Sequence, residues 1–321
     1  MKETIKDIEQ SMLKYLNNEQ LDKLHEVLEQ KLTTEEDEAL PSNNVLLERF
    51  IASKRIEGCS ERTIKYYNLV LNKMISNIEK SVINLETDDI RKYMSDYQGI
   101  NNCSKVNMNN IRRILSSFYT WLEEENYIIK NPMNRIHKIK VEKTVKETIS
   151  DENLEILRDN AETIRDKAII DMLTSTGIRV SEMSHLNISD VNFEKKEALV
   201  LGKGNKERIV YFDARTKVHL KDYLKTRKDN NPALFVSLDK PYNRLQVAGI
   251  EIRVRALGRA MNIKKVHPHK FRRTMATRAI DRGMPIEQVQ NLLGHSQIDT
   301  TMQYAMVNQN NVKYSHSKFI G

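Results

Sequence analysis

The stretch HPHKFRRTMA, from His267 to Ala276, places two histidines, one lysine and two arginines in its first seven residues, with no Asp or Glu among them. Cations left uncompensated beside imidazoles suit an anion, either one phosphate held for chemistry or a polyanion held for affinity. His269 and Arg272 stand three apart, which on a helix puts them on one face. Pro268 suits the first helical position, where its missing N–H costs nothing, and leaves His267 on the loop side. Farther on, PIEQVQNLLGH reads as an amphipathic helix stopped by Gly294, with His295 just outside it. DTTMQYAMV opens another helix, with Asp299 as its expected N-cap and Tyr304 within the first two turns. Taken singly, such a histidine or tyrosine packs more often than it reacts.

Upstream, LTSTGIRVSEMSHL places Arg179 soon after Gly177 at the opening of a helix, where free N–H groups and the dipole favour an anion. Glu182, at i+3, either orients the Arg179 guanidinium or pairs with it as an ordinary surface salt bridge. KEALVLGKGNKERIVYF alternates strand formers about a Gly-rich apex, the signature of a β-hairpin. Gly202–Lys203–Gly204 is not a phosphate loop, because no G-x-x-x-x-G-K-[ST] precedes a helix and strands flank it instead. Lys203 enters the turn and Lys206 and Arg208 follow it. The result is a basic hairpin tip or, taken alone, a solvated turn.

These residues must be held by something, and the pattern is mainly helical. Ile8, Met12 and Leu16, then Leu21, Leu24, Leu28 and Leu32, recur at helical spacing, so residues 2–32 read as one or two amphipathic helices. The acidic TTEEDEALPSN, with Pro41, reads as a linker. Helical patterns resume in NNVLLERFIASKRIEG, SERTIKYYNLVLNKMISNI, TDDIRKYMSDY and KVNMNNIRRILSSFYTWLEEENYI, with Ser60 as an N-cap and TDDI placing acids in a first turn. From Ile129 to Glu147 six Lys/Arg face two Glu, which suits a strap along a phosphate backbone or a solvated linker. From Ser150, which precedes an acid-rich first turn, the pattern is again helical apart from the hairpin. The expected division is 1–43, an N-terminal helical segment and acidic linker; 44–128, a helical domain; 129–149, a basic linker; and 150–321, the domain carrying the candidate site.

Composition narrows the class. With 39% hydrophobic and 30% charged residues the chain reads as soluble, and no apolar run approaches the ~20 residues of a membrane span. MKETIKDIEQ lacks the order of a signal peptide, so a cytoplasmic protein without membrane association is expected. Cys59 and Cys103 provide neither a disulfide framework nor metal spacing. The net charge of +8 is uneven, with −6 in residues 1–43 and +14 in the rest. A basic body attracts polyanions, nucleic acid above all. The acidic N-terminal segment is expected to meet protein through its leucine stripe, the alternative being a basic face of Lys2, Lys6 and Lys14 that reaches accessory DNA.

In order and spacing, Arg179, Lys203, His269, Arg272, His295 and Tyr304 resemble the active site of the tyrosine recombinases, the phage-integrase family. TGIRVSE, GKGNKER, HPHKFRRTMAT and LLGHSQIDTTMQYA carry the resemblance, which spans most of residues 150–310. The block 44–128 is similar, in pattern rather than motif, to the family's SAM-like core-binding domain. The resemblance implies a mainly α tyrosine recombinase fold, with a catalytic domain holding a small β-hairpin or sheet, and two larger domains closing on a duplex like a C. It implies a site-specific recombinase that cleaves and rejoins DNA through a 3′-phosphotyrosyl bond. Tyr304 would be the nucleophile, His269 the base, Lys203 the general acid, Arg179 and Arg272 the clamp on the phosphate, and His295 a further donor. Lys270 and Arg273 would serve neighbouring phosphates. No cofactor and no metal is expected. Implied partners are double-stranded DNA with inverted-repeat core sites, a homotetramer on two duplexes, and accessory DNA-bending proteins. The alternatives are a type IB topoisomerase-like cleaver and a DNA-binding regulator that does not cut.

Overall fold

The computed structural model describes residues 2–33, 41–141, 147–202, 206–295 and 297–305. The chain divides into two compact units, residues 1–142 and 143–321. Lys203, the acidic run 34–40 and the C-terminal stretch from 306 lie outside the described residues.

The first unit is helical throughout. Two helices, α1 (Lys2–Met12) and α2 (Asn18–Thr33), pack on each other. Four more follow: α3 (Asn43–Ile56), α4 (Glu61–Asn77), α5 (Thr87–Asn101) and α6 (Lys105–Glu124). Three of these begin at a serine whose hydroxyl accepts a first-turn N–H: Ser42 from Val45, Ser60 from Thr63 and Ser104 from Asn107. On α6, Met108, Ile111, Leu115, Phe118 and Leu122 recur at three and four and are all buried. Phe118 meets Phe50 of α3 edge-on at 5.2 Å between ring centroids, and Trp121 meets Phe50 at 5.6 Å. The basic segment that follows is not simply solvated. Pro132 and Met133 are buried, Ile136 and Ile139 pack on the helical core, and Asn109 brackets Ile139, accepting from its N–H and donating to its carbonyl. Arg135, Lys138 and Lys140 stay exposed. Between Pro132 and Lys140 the apolar residues face in and the basic ones out, whereas Ile129 is exposed.

The second unit comprises α7 (Asp151–Asp159), α8 (Ile164–Thr176), α9 (Val180–His185), β1 (Val191–Asn192), β2 (Glu197–Leu201), β3 (Glu207–Tyr211), α10 (Ala214–Thr226), α11 (Val247–Ala260), α12 (Pro268–Asp281), α13 (Ile286–Leu293) and α14 (Asp299–Ala305). The strands form one antiparallel sheet in the order β1-β2-β3, with Val200 opposite Arg208. Alternation directs Ala198, Val200 and Val210 into the core and leaves Leu199, Ile209 and Tyr211 exposed. At the centre lies α8, which buries Ala168, Ile169, Ile170, Met172 and Leu173 on all sides and packs against α7, α10, α11 and α12. Ile149 enters the core beside α12, its N–H donating to Thr274 Oγ1 at 2.9 Å. Among the described residues no helix is long and apolar enough to cross a membrane.

Candidate active site

Several helix ends converge on one place. Helix α8 stops at Gly177, whose φ of +60° is left-handed. A Cβ there would sit 2.2 Å from Met275 Cε of α12, a flexible tip that can shift, so it is the left-handed backbone that favours glycine here. Two residues on, Arg179 caps α9, and Glu182 reaches back to accept from the Arg179 backbone N–H at 2.8 Å and from its Nη1 at 2.7 Å. Arg179 Nη2 donates to the carbonyl of Gly294, at the end of α13, at 3.0 Å. The pair is therefore no surface salt bridge, for the Glu182 side chain is only 2% exposed.

Pro268 opens α12 and His267 caps it. Arg272, one turn inside, is 2% exposed, and its Nη1 donates to the carbonyl of Gly177 at 2.7 Å. Its Nη2 donates to the carbonyl of Leu293 and lies 3.1 Å from His295 Nε2. The cation is thus wedged between the C-terminal ends of α8 and α13, whose free carbonyls and negative dipole ends receive it. Burial and the neighbouring Arg179 pull its pKa down to about 10, with Glu182 opposing.

His295 follows the left-handed Gly294, which ends α13 as the sequence implies. Arg272 can only donate, so His295 Nε2 accepts and Nδ1–H donates to Thr301 Oγ1 at 2.8 Å. The ring is neutral, its pKa drawn down to about 4 by burial and then by Arg272, Arg179, His269 and Arg208. Tyr304, on α14, is buried against Ala276, Val289 and Leu293, with its ring 6.2 Å from that of His295. Helix α14 starts one residue earlier than expected. Ile298, not Asp299, supplies the capping carbonyl, accepting from the N–H groups of Thr301 and Met302.

Arg179, Arg272, His295 and Tyr304 are therefore joined by direct contacts or shared partners. His269 lies on the exposed side of α12, its ring 6.5 Å from that of His267 and nearly parallel to it. Two neighbouring cations are engaged by backbone carbonyls of their own unit. Lys270 is buried with its Nζ donating to the Lys264 carbonyl at 3.1 Å, and Arg273 donates to the Glu147 carbonyl at 2.9 Å. Arg273 ties the start of this unit onto α12, and Lys270 Nζ, 4.0 Å from the Glu147 carboxylate, adds a looser tie. In the sequence Arg208 shows only as charge near the hairpin tip. It proves to bind Glu182 through two nitrogens, at 2.6 and 2.7 Å. A signal was available: Arg208 shares the inward face of β3 with Val210, and a charge there needs a partner. Burial pushes the Glu182 carboxyl up, but hydrogen bonds from Arg208 and Arg179 outweigh it, and the net shift is down.

A mainly helical unit with a three-stranded sheet, presenting two guanidiniums, an imidazole and a phenol at converging helix ends, defines a class. Residues 147–311 match the phage integrase family, and residues 46–129 match its N-terminal SAM-like domain. The chain belongs to the phage integrase family and is a tyrosine recombinase, an enzyme that breaks and rejoins DNA. Tyrosine recombinase XerA of Pyrococcus horikoshii is 31% identical over 282 residues, 86% of this chain and 94% of that protein. Tyrosine recombinase XerC of Oceanobacillus iheyensis is 30% identical over 289 residues, 85% of this chain and 94% of that protein. The fold is shared with the XerH site-specific recombinase bound to palindromic difH substrate, at a TM-score of 0.68 and 21% identity, covering 98% of this chain and 94% of that one. A lambda integrase dimer bound to a COC′ core site also shares it, at a TM-score of 0.68 and 15% identity over 88% of this chain and 85% of that one.

Proposed function

We propose that Tyr304 attacks a scissile phosphate in duplex DNA, forming a 3′-phosphotyrosyl bond and releasing a 5′-hydroxyl. The observation that carries this reading is the meeting of Arg179, Arg272 and His295 beside the Tyr304 ring. Charge grows on the non-bridging oxygens as the phenol adds, and fixed guanidiniums offset it without reorganising. The Arg272–His295 contact opens to admit the phosphate; Arg272 then donates to it, and His295 donates as the other tautomer, its proton on Nε2 and its Nδ1 accepting from the Thr301 hydroxyl. An unperturbed phenol has a pKa of about 10, so attack at neutral pH needs a proton acceptor, the role given to His269. Lys203 protonates the leaving 5′-oxygen. The new bond is close in energy to the old, so rejoining needs no external energy source.

Partners follow from the same reading and from what relatives are described on. They are double-stranded DNA with inverted-repeat core sites, a homotetramer spanning two duplexes, and DNA-bending accessory proteins, in the cytoplasm. Tyr304→Phe tests the nucleophile. With a nicked suicide duplex carrying a site selected from a random-sequence pool, the variant should bind within about twofold of the parent, since no charge changes. It should form no covalent adduct on a denaturing gel. An adduct formed by this variant, with Tyr314 the next tyrosine to test, would overturn the assignment.

A further inference from the structure

Resting on the reading that Arg179 and His295 serve the scissile phosphate, we infer that Arg208 is the positioning residue that holds both, and ties the hairpin leading to Lys203 to them. Every nitrogen of its guanidinium is engaged. Nη1 and Nη2 grip the two oxygens of Glu182, and Nε donates to the Leu292 carbonyl at 3.1 Å. Glu182 in turn holds Arg179 by backbone and side chain, and Leu292 stands three residues before His295. One side chain on β3 thus joins three separate parts of the unit: the start of α9, the end of α13 and the hairpin.

The surroundings are built around it. A Cβ on Gly294 would lie 3.0 Å from Arg208 Cδ and 3.3 Å from its Nε, so the residue before His295 packs on the arginine stem. A Cβ on Gly202, the residue before Lys203, would lie 3.6 Å from Arg208 Nη1 and 3.6 Å from Glu182 Oε1. The base of the hairpin tip therefore sits on the Arg208–Glu182 pair, while Gly202 N–H donates to the Lys206 carbonyl at 2.8 Å.

Charge gives Arg208 a second effect. Glu182 alone with Arg179 would make a neutral pair, and the guanidinium would have little charge left to offer a phosphate. With Arg208 sharing the same carboxylate the three groups carry a net positive charge, and Arg179, its side chain 32% exposed, is the accessible member. A lysine could supply the charge but not the three-way planar fork.

The test compares single-turnover cleavage of the selected suicide duplex with its natural phosphodiester and with an uncharged methylphosphonate at the scissile position. Arg208→Met should bind DNA within about threefold, melt cooperatively, and cut the phosphodiester about 100-fold more slowly, the size of a lost oriented donor. On the methylphosphonate, where no anion needs offsetting, its deficit should shrink to about tenfold or less. Arg208→Lys should fall between Met and the parent, and it decides by the same criterion if the Met variant does not fold. Parent-like cutting of the phosphodiester, or an equal deficit on both substrates from a folded protein, would overturn the inference. Arg179→Ala serves as the control. If it is also unimpaired on the phosphodiester, the parent reading fails; if it alone is impaired, only the role of Arg208 fails.

Discussion

The two units bury different things. Among the described residues, the helical unit buries no charged side chain and, apart from Tyr and Trp, one polar one, Asn131, whereas the unit carrying the site buries Arg158, Arg165, Asp166, Asp171, Glu182, Lys270 and Arg272. In the first, helices with serine caps stack Phe50, Phe118 and Trp121 into an apolar core, and Asn131 is satisfied by Glu123, Thr120 and the Met133 N–H. In the second, charges are paired in networks: Arg158 with Asp171 and Glu155, Arg165 and Arg253 with Asp166, Arg179 and Arg208 with Glu182. Buried ions cost more than they return unless every donor and acceptor is matched. On the function proposed above, a unit that holds cations rigid for a phosphate accepts that cost, whereas a purely helical scaffold has no reason to.

The comparison breaks first at Arg272. Arg272→Met should lower suicide-substrate cleavage by about 1,000-fold, the upper range for one preorganised donor. Its effect on stability should be moderate, about 1–3 kcal/mol, because the carbonyls of two helix ends lose a buried donor while a costly buried cation is removed. A large loss of urea stability would show that this cation is structural after all. Phe118→Ala should do the opposite in the helical unit. About 3–5 kcal/mol of stability goes with the cavity, and a separate early transition should appear in denaturation.

A smaller effect belongs to His295. Its folded-state pKa, about 4, lies below the ordinary 6.5. The stability linked to it is present above 6.5 and is lost as pH falls from there through 4. The melting temperature of the parent should drop more steeply between pH 7 and pH 4 than that of His295→Gln; parallel curves would mean the histidine is not held neutral by its neighbours. The smallest change is Ser104→Ala, which removes the hydroxyl that accepts from Asn107 N–H and should cost about 1 kcal/mol in thermal unfolding, with cleavage rate unchanged.

Local physics was readable from the chain alone. Apolar spacing marks α3 to α6, Ser60 marks the start of α4 and acids the first turn of α5, Pro268 and Gly294 mark where α12 begins and α13 ends, and alternation about the glycines marks the hairpin, because caps, turns and periodicity depend on near neighbours in sequence. The residue types able to handle a phosphate were legible for the same reason, and so was their order. What only the tertiary structure decided is how they are held: Arg272 between the carbonyls of Gly177 and Leu293, 95 and 21 residues away, and Glu182 shared by Arg179 and Arg208. It also decided that Arg273 turns to the Glu147 carbonyl and Lys270 to that of Lys264, and that Ile136 and Ile139 of the basic segment pack inward. Long-range partners such as these are chosen by which helix ends meet in the core, and no local spacing carries that information.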